Sequence, residues 1–155
     1  MEVEMMKLMS PAFEHEGKIP SKHTCDGENT NPPLTISDVP SGAKSLVLIM
    51  DDPDVPKHLR ADGMWDHWVV FNIPANLSEV EEGEEPMGTN GIGTSGNLKY
   101  NGPCPPDREH RYFFKLYALD AELELEEKST KAQVESAMEG HVLERAELMG
   151  KYERI

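Results

Sequence analysis

Three segments carry the side chains best suited to chemistry. Asp51, Asp52 and Asp54 follow the apolar run SLVLIM at 45–50. Trp65, Asp66 and His67 lead into WVVFNIP, and His110, Arg111 and Tyr112 lead into FFKLYAL. Carboxylates gathered beside imidazoles and a phenol suit two kinds of work. One is capture of a small anion, because an imidazolium, one nitrogen of a neutral imidazole and a tyrosine hydroxyl all donate hydrogen bonds. The other is hydrolysis, with the histidines and a carboxylate as a metal set with an open position or as an acid–base pair. A G-x-S-x-G elbow and an HExxH pair are both absent from the sequence, which favours binding over catalysis.

Each residue also has a plainer role. Asp52-Pro53-Asp54 is a ready turn former, a histidine at a strand edge is commonly just half exposed, and a tyrosine on a sheet face is commonly core. His15, His23, His58 and His141 fall in that class. Convergence of the three segments is what points to a pocket, and convergence requires particular elements to carry them. The run 45–50 is short enough for a buried strand. HWVVFNIP, 67–74, is β-branched and aromatic, and Pro74 stops it. RYFFKLYAL, 111–119, reads as the third strong strand.

In an antiparallel sheet the end of one strand lies beside the start of its neighbour. The carboxylates after 45–50 can therefore meet His67, and His110 if its strand also flanks 45–50. Alternation along a strand puts His110 and Tyr112 on the face carrying Phe114 and Leu116 and turns Arg111 away, toward an Asp partner. Gly102 permits close backbone approach, and amides near it are expected to form an anion-binding concavity. Asp52 or Asp54 is expected to orient His67 or His110 and to raise its pKa above the ordinary histidine value.

The remaining chain reads as turns, with KLMSPAF alternating weakly and a short strand near Leu34 to Ile36. Residues 81–102 form a long glycine-rich surface loop. Its literal G-x-G-x-x-G at Gly91, Gly93 and Gly96 is no dinucleotide site, since no strand enters it and no helix follows. Thr130 with Gln133 forms a capping-box pattern before a helix that closes on Gly140. HVLERAELMG reads as a second short helix ending at Gly150, and KYERI as a last strand. Strands first and helices last, without βαβ alternation, favour an antiparallel β-fold with peripheral helices.

With 155 residues the chain is expected to be one domain, 1–155. A net charge of −14 argues against nucleic-acid binding, so any bound anion must be held by local donors. No apolar run is long enough to span a membrane, and the acidic start lacks an apolar signal core, giving a cytoplasmic expectation. Cys25 and Cys104, far apart in sequence, are accordingly expected to be reduced.

The segments HTCDGENTNPPL, DDPDVP, WDHWVVFNIP, GPCPP…HRYFFKLYAL and GHVLERAELMGKYER resemble the phosphatidylethanolamine-binding protein family, in particular its prokaryotic Raf kinase inhibitor-like branch. The resemblance implies a mostly β fold: a sandwich of a large central antiparallel sheet on a smaller one, with short peripheral C-terminal helices. It implies a cavity for phosphate-like anions such as phosphoryl headgroups, phosphorylated small molecules or phosphopeptides. Carried over by motif, the cavity residues are Asp52, His67, His110 and Tyr112, with Gly102 to Pro106 as a wall and Trp65 and Asp54 close by. The family includes kinase regulators and protease inhibitors, so inhibition through an exposed loop is a further expectation. No cofactor or metal is implied, and a homodimer is suggested by prokaryotic relatives alone. The sequence runs to GKYERI at 150–155, so no counterpart is expected of the C-terminal helix that lies near the cavity in eukaryotic members, and eukaryotic kinase regulation is not expected to carry over.

Overall fold

The computed structural model describes residues 5–154. In chain order its elements are β1 (Lys7–Met9), a 3-10 turn at Ser21–His23, β2 (Leu34–Ser37), β3 (Ser45–Asp52), β4 (Trp65–Ile73), β5 (Glu79–Val80), β6 (Thr89–Asn90), β7 (His110–Leu119), α1 (Lys131–Met138) and β8 (Val142–Tyr152). The apolar run 45–50 is the middle of the molecule. It lies within β3, the central strand of a five-stranded sheet ordered β6-β4-β3-β7-β8, antiparallel at every pairing. A smaller antiparallel sheet, ordered β1-β2-β5, packs over one face.

All eight residues of β3 are buried because both faces of the sheet are covered. Leu46, Leu48 and Met50 join Trp68, Val70, Phe114 and Leu116 in the core beneath the small sheet. Val47 and Ile49 join Val69, Phe71, Val134 and Met138 on the opposite face, beneath α1. A strand covered on both sides has no polar alternation to display, which is why it reads as an unbroken apolar run.

The capping box forms as expected. The Thr130 side chain accepts from the Gln133 amide, and the Gln133 side chain accepts from the Thr130 amide. Lys131, the first helical residue, pins the helix to the sheet through Asp66 at 2.8 Å and Asp51 at 3.2 Å.

Two expectations about elements are corrected: the glycine-rich stretch 81–102 carries a short strand, β6, that runs straight into Gly91 and pairs with β4, and one expected helix is a strand. The second helix expected over HVLERAELMG is instead a strand, β8, which runs on through Lys151 and Tyr152, the first two residues of KYERI (Ile155 lies outside the described residues), and pairs with β7 from Leu119↔Val142 to His110↔Tyr152. Gly150 is no helix stop. It lies in mid-strand, where a Cβ would press into Phe13 and Ile19. Long-range pairing overrides a local sequence that suits either conformation.

Candidate functional site

The ends of β3, β4 and β7 meet at one edge of the large sheet, around a cavity of about 260 Å³. Its walls are Val55, Leu59, Trp65, Pro105, Pro106 and Cys104, with Asn101 and Gly102 beside them. Asp52, His67, His110 and Tyr112 supply its polar side chains. The space is small for a drug-sized ligand and suits a compact group on a larger body.

Alternation along β3 and β7 explains three of these residues. Asp52 shares the face of Met50, and His110 and Tyr112 share the face of Phe114. His67 has a different cause. Met50 pairs with Trp68, but Asp51 pairs with Asp66, so β4 carries an extra residue at this point. That residue is His67. Strict alternation would place it with Val69 and Phe71 under α1. The bulge turns it to the cavity side, its ring edge-on to Tyr112 at 5.3 Å between centroids.

The glycine-rich loop holds the bulge. The Asn101 carbonyl lies 2.6 Å from His67 Nδ1, and the His67 carbonyl accepts from the Asn97 side chain at 2.8 Å. Thr94 Oγ1 accepts the Asp66 amide at 2.8 Å. A ring that donates from Nδ1 to a carbonyl leaves Nε2 as its free nitrogen. Burial lowers the His67 pKa against the raising influence of the Asn101 carbonyl and nearby carboxylates. The expected upward shift is therefore reversed at this residue, because desolvation outweighs the charges.

His110 is held from both sides. Nδ1 lies 2.6 Å from Asp52 Oδ2, and Nε2 lies 2.7 Å from Asp107 Oδ1. Its side chain is fully buried. Asp52 also accepts the Asp54 amide at 2.7 Å. The Tyr112 hydroxyl keeps its proton: burial raises its pKa, and the Asp52 carboxylate adds to that.

Arg111 turns outward and pairs with Asp54. Nε and Nη2 reach the two carboxylate oxygens at 2.9 and 2.8 Å, and the Arg111 amide adds a third bond at 2.8 Å. This pairing draws the Asp54 pKa down. Asp54, expected beside the ligand, is therefore committed to Arg111 and does not line the cavity.

The proline-rich wall is anchored rather than merely stiff. Cys25 and Cys104 form a disulfide, correcting the expectation of reduced thiols. A separation of 79 positions says nothing about distance in space, and the fold brings the two Cα atoms to 5.4 Å. The Cys25 amide donates to the Pro103 carbonyl, and the Tyr100 hydroxyl to the His23 carbonyl. The Gly102 amide donates to Asn29 Oδ1 at 2.8 Å, so it is not free for an anion. Glycine is required there because a Cβ would overlap the His23 carbonyl. Pro106 and Trp65 line the cavity as expected. Among the described residues no group of three or more His, Cys, Asp or Glu is placed to hold a metal ion.

Residues 9–153 match the family described as phosphatidylethanolamine-binding protein. The chain belongs to this family. A UPF0098 protein of Chlamydia pneumoniae is 52% identical over 149 residues, covering 96% of this chain and 99% of its own. A UPF0098 protein of Methanothermobacter thermautotrophicus is 52% identical over 155 residues, with the same two coverages. Among solved structures, the phosphatidylethanolamine-binding protein homologue CT736 from Chlamydia trachomatis superposes with a TM-score of 0.95 at 49% identity. It covers 97% of this chain and 99% of its own. YbcL of E. coli, described as a member of the mammalian family, superposes with a TM-score of 0.87 at 29% identity, covering 98% and 100%.

For this family member, Asp52, Trp65, His67, Gly102, Pro106, His110 and Tyr112 all reach the cavity. Sequence reasoning missed Val55, Leu59, Asn101 and Asp107. Only Asp107, three residues before a singled-out histidine, left a signal.

Proposed function

We propose that the cavity binds small phosphoryl anions, free or at the end of a larger molecule. His67 carries this reading: an imidazole at the cavity with Nδ1 tied to the Asn101 carbonyl and Nε2 as its free nitrogen. Because burial favours its neutral form, Nε2 is an acceptor at neutral pH, and an anionic ligand must bring or recruit a proton. That proton can come from solvent to the ring or ride on the phosphoryl group, whose second pKa is about 6. The Tyr112 hydroxyl, hydrogen-bonded to the Asp52 carboxylate, supplies a donor by turning its proton from Asp52 to the ligand. Regulation of a kinase or protease would be a use of such binding. The cytoplasmic setting also remains part of this proposal. No helix of the described residues is long and apolar enough to cross a membrane, while the Cys25–Cys104 bridge calls for conditions that leave it oxidised.

Calorimetric titration with inorganic phosphate and with O-phosphorylethanolamine tests the reading and separates a free anion from a headgroup. One-to-one binding lost in H67N is expected. Affinity unchanged by that substitution would overturn the site. Turnover of phosphoesters with zinc or manganese, lost in H67N, would replace binding by hydrolysis. Inhibition of a protease that survives in H67N would move function to a surface loop.

A further inference from the structure

We infer that Asp107 is a positioning residue of the anion site, acting through His110 to neutralise Asp52. This rests on the phosphoryl-binding reading above. The two nitrogens of His110 face carboxylate oxygens at 2.6 and 2.7 Å, Asp52 on the cavity side and Asp107 on the far side. Carboxylates accept, so a ring that satisfies both must donate from both, as an imidazolium does. With both nitrogens engaged and its side chain fully buried, His110 has no donor left for a ligand. Its contribution is charge held against Asp52.

That charge matters because Asp52 lines the cavity and is itself buried. A bare carboxylate there would repel a phosphoryl anion a few ångströms away. Asp107 is well placed to sustain the imidazolium without adding its own repulsion. It sits on the loop leading into β7, its side chain is 41% exposed, and it does not line the cavity. Solvent screens its charge from the ligand, while the short bond to Nε2 acts directly on the ring. The pairing also lowers the Asp107 pKa, with the His110 hydrogen bond as the leading cause. The order Asp107–His110–Asp52 is thus a charge sequence running from solvent to cavity.

The test is a double-mutant cycle read by phosphate titration, repeated with O-phosphorylethanolamine. D107N is expected to weaken phosphate binding about tenfold, since one unbalanced charge is restored near the ligand, and D107E to recover most of it. In a D52N background, where no carboxylate needs neutralising, D107N should have little further effect. Nitrogen NMR of the His110 ring gives a readout independent of ligand, with two protonated nitrogens in the native protein and one in D107N. Tighter or unchanged phosphate binding in D107N would overturn the inference while leaving the anion reading in place. An equal loss with and without Asp52 would do the same. Failure of the native protein to bind either probe would overturn the anion reading and this inference with it.

Discussion

Burial of His67 sets a pH dependence whose sign is fixed. Its folded-state pKa lies below the ordinary value of about 6.5, so the folded protein holds fewer protons at this site than the unfolded chain. The stability it contributes is present above ~6.5 and declines as pH falls through that value. Denaturant unfolding at ~pH 8 and ~pH 5.5 should show a decline that H67N partly removes. An unaltered slope in H67N would assign acid sensitivity to the carboxylates instead. The Arg111–Asp54 pair makes a separate prediction. Arg111 is half exposed but its partner Asp54 is only 12% exposed, so R111A leaves a largely buried carboxylate unpaired and should cost about 1–3 kcal/mol of stability, read by denaturant unfolding. At this scale the sequence was informative wherever strands alternate strictly. His110 and Tyr112 were placed inward and Arg111 outward by parity alone. The facing of His67 was not legible, because a bulge is one extra residue and only pairing with β3 reveals it. The role of Gly102 was misjudged for a similar reason: its close approach is to the His23 carbonyl, contributed by a distant loop.

The elements that shape the cavity are held by long-range links. Cys25–Cys104 ties the segment after the 3-10 turn to the proline wall, closing a loop long enough for a stabilisation of about 2–4 kcal/mol. Chemical denaturation of C25S/C104S should show that loss. A change below about 0.5 kcal/mol would mean that the Gly102–Asn29 and Tyr100–His23 bonds hold the wall unaided. At α1, T130A removes one half of the capping box and should cost about 1 kcal/mol. The helix start was legible because capping is local chemistry. β8 was not, since Val142, Leu143, Ala146 and Met149 space equally well along a helix, and only the partner β7 decides between the two.

For the whole molecule, the five-stranded sheet holds the long strands β3, β4, β7 and β8, and the three short strands β1, β2 and β5 pack over one of its faces. Hydrogen exchange should find the slowest amides in β3, β4 and β7, with β1 and β5 opening at lower cost. L116A, in the fully buried core between the sheets, should cost about 2–5 kcal/mol and lower the unfolding midpoint of both sheets together. The site's dependence on this architecture is direct, since its three polar segments are ends of the three inner strands of the large sheet. On the proposed reading a net charge of −14 leaves anion capture to local groups, which at the cavity are the Tyr112 hydroxyl and, once protonated, His67 Nε2. The most direct test is a crystal structure of the protein grown in phosphate. A tetrahedral anion in the cavity, within hydrogen-bond distance of His67 Nε2 and the Tyr112 hydroxyl, with Asp107 still on His110, is the predicted result. An empty cavity at saturating phosphate, or an anion bound only elsewhere on the surface, would contradict the account.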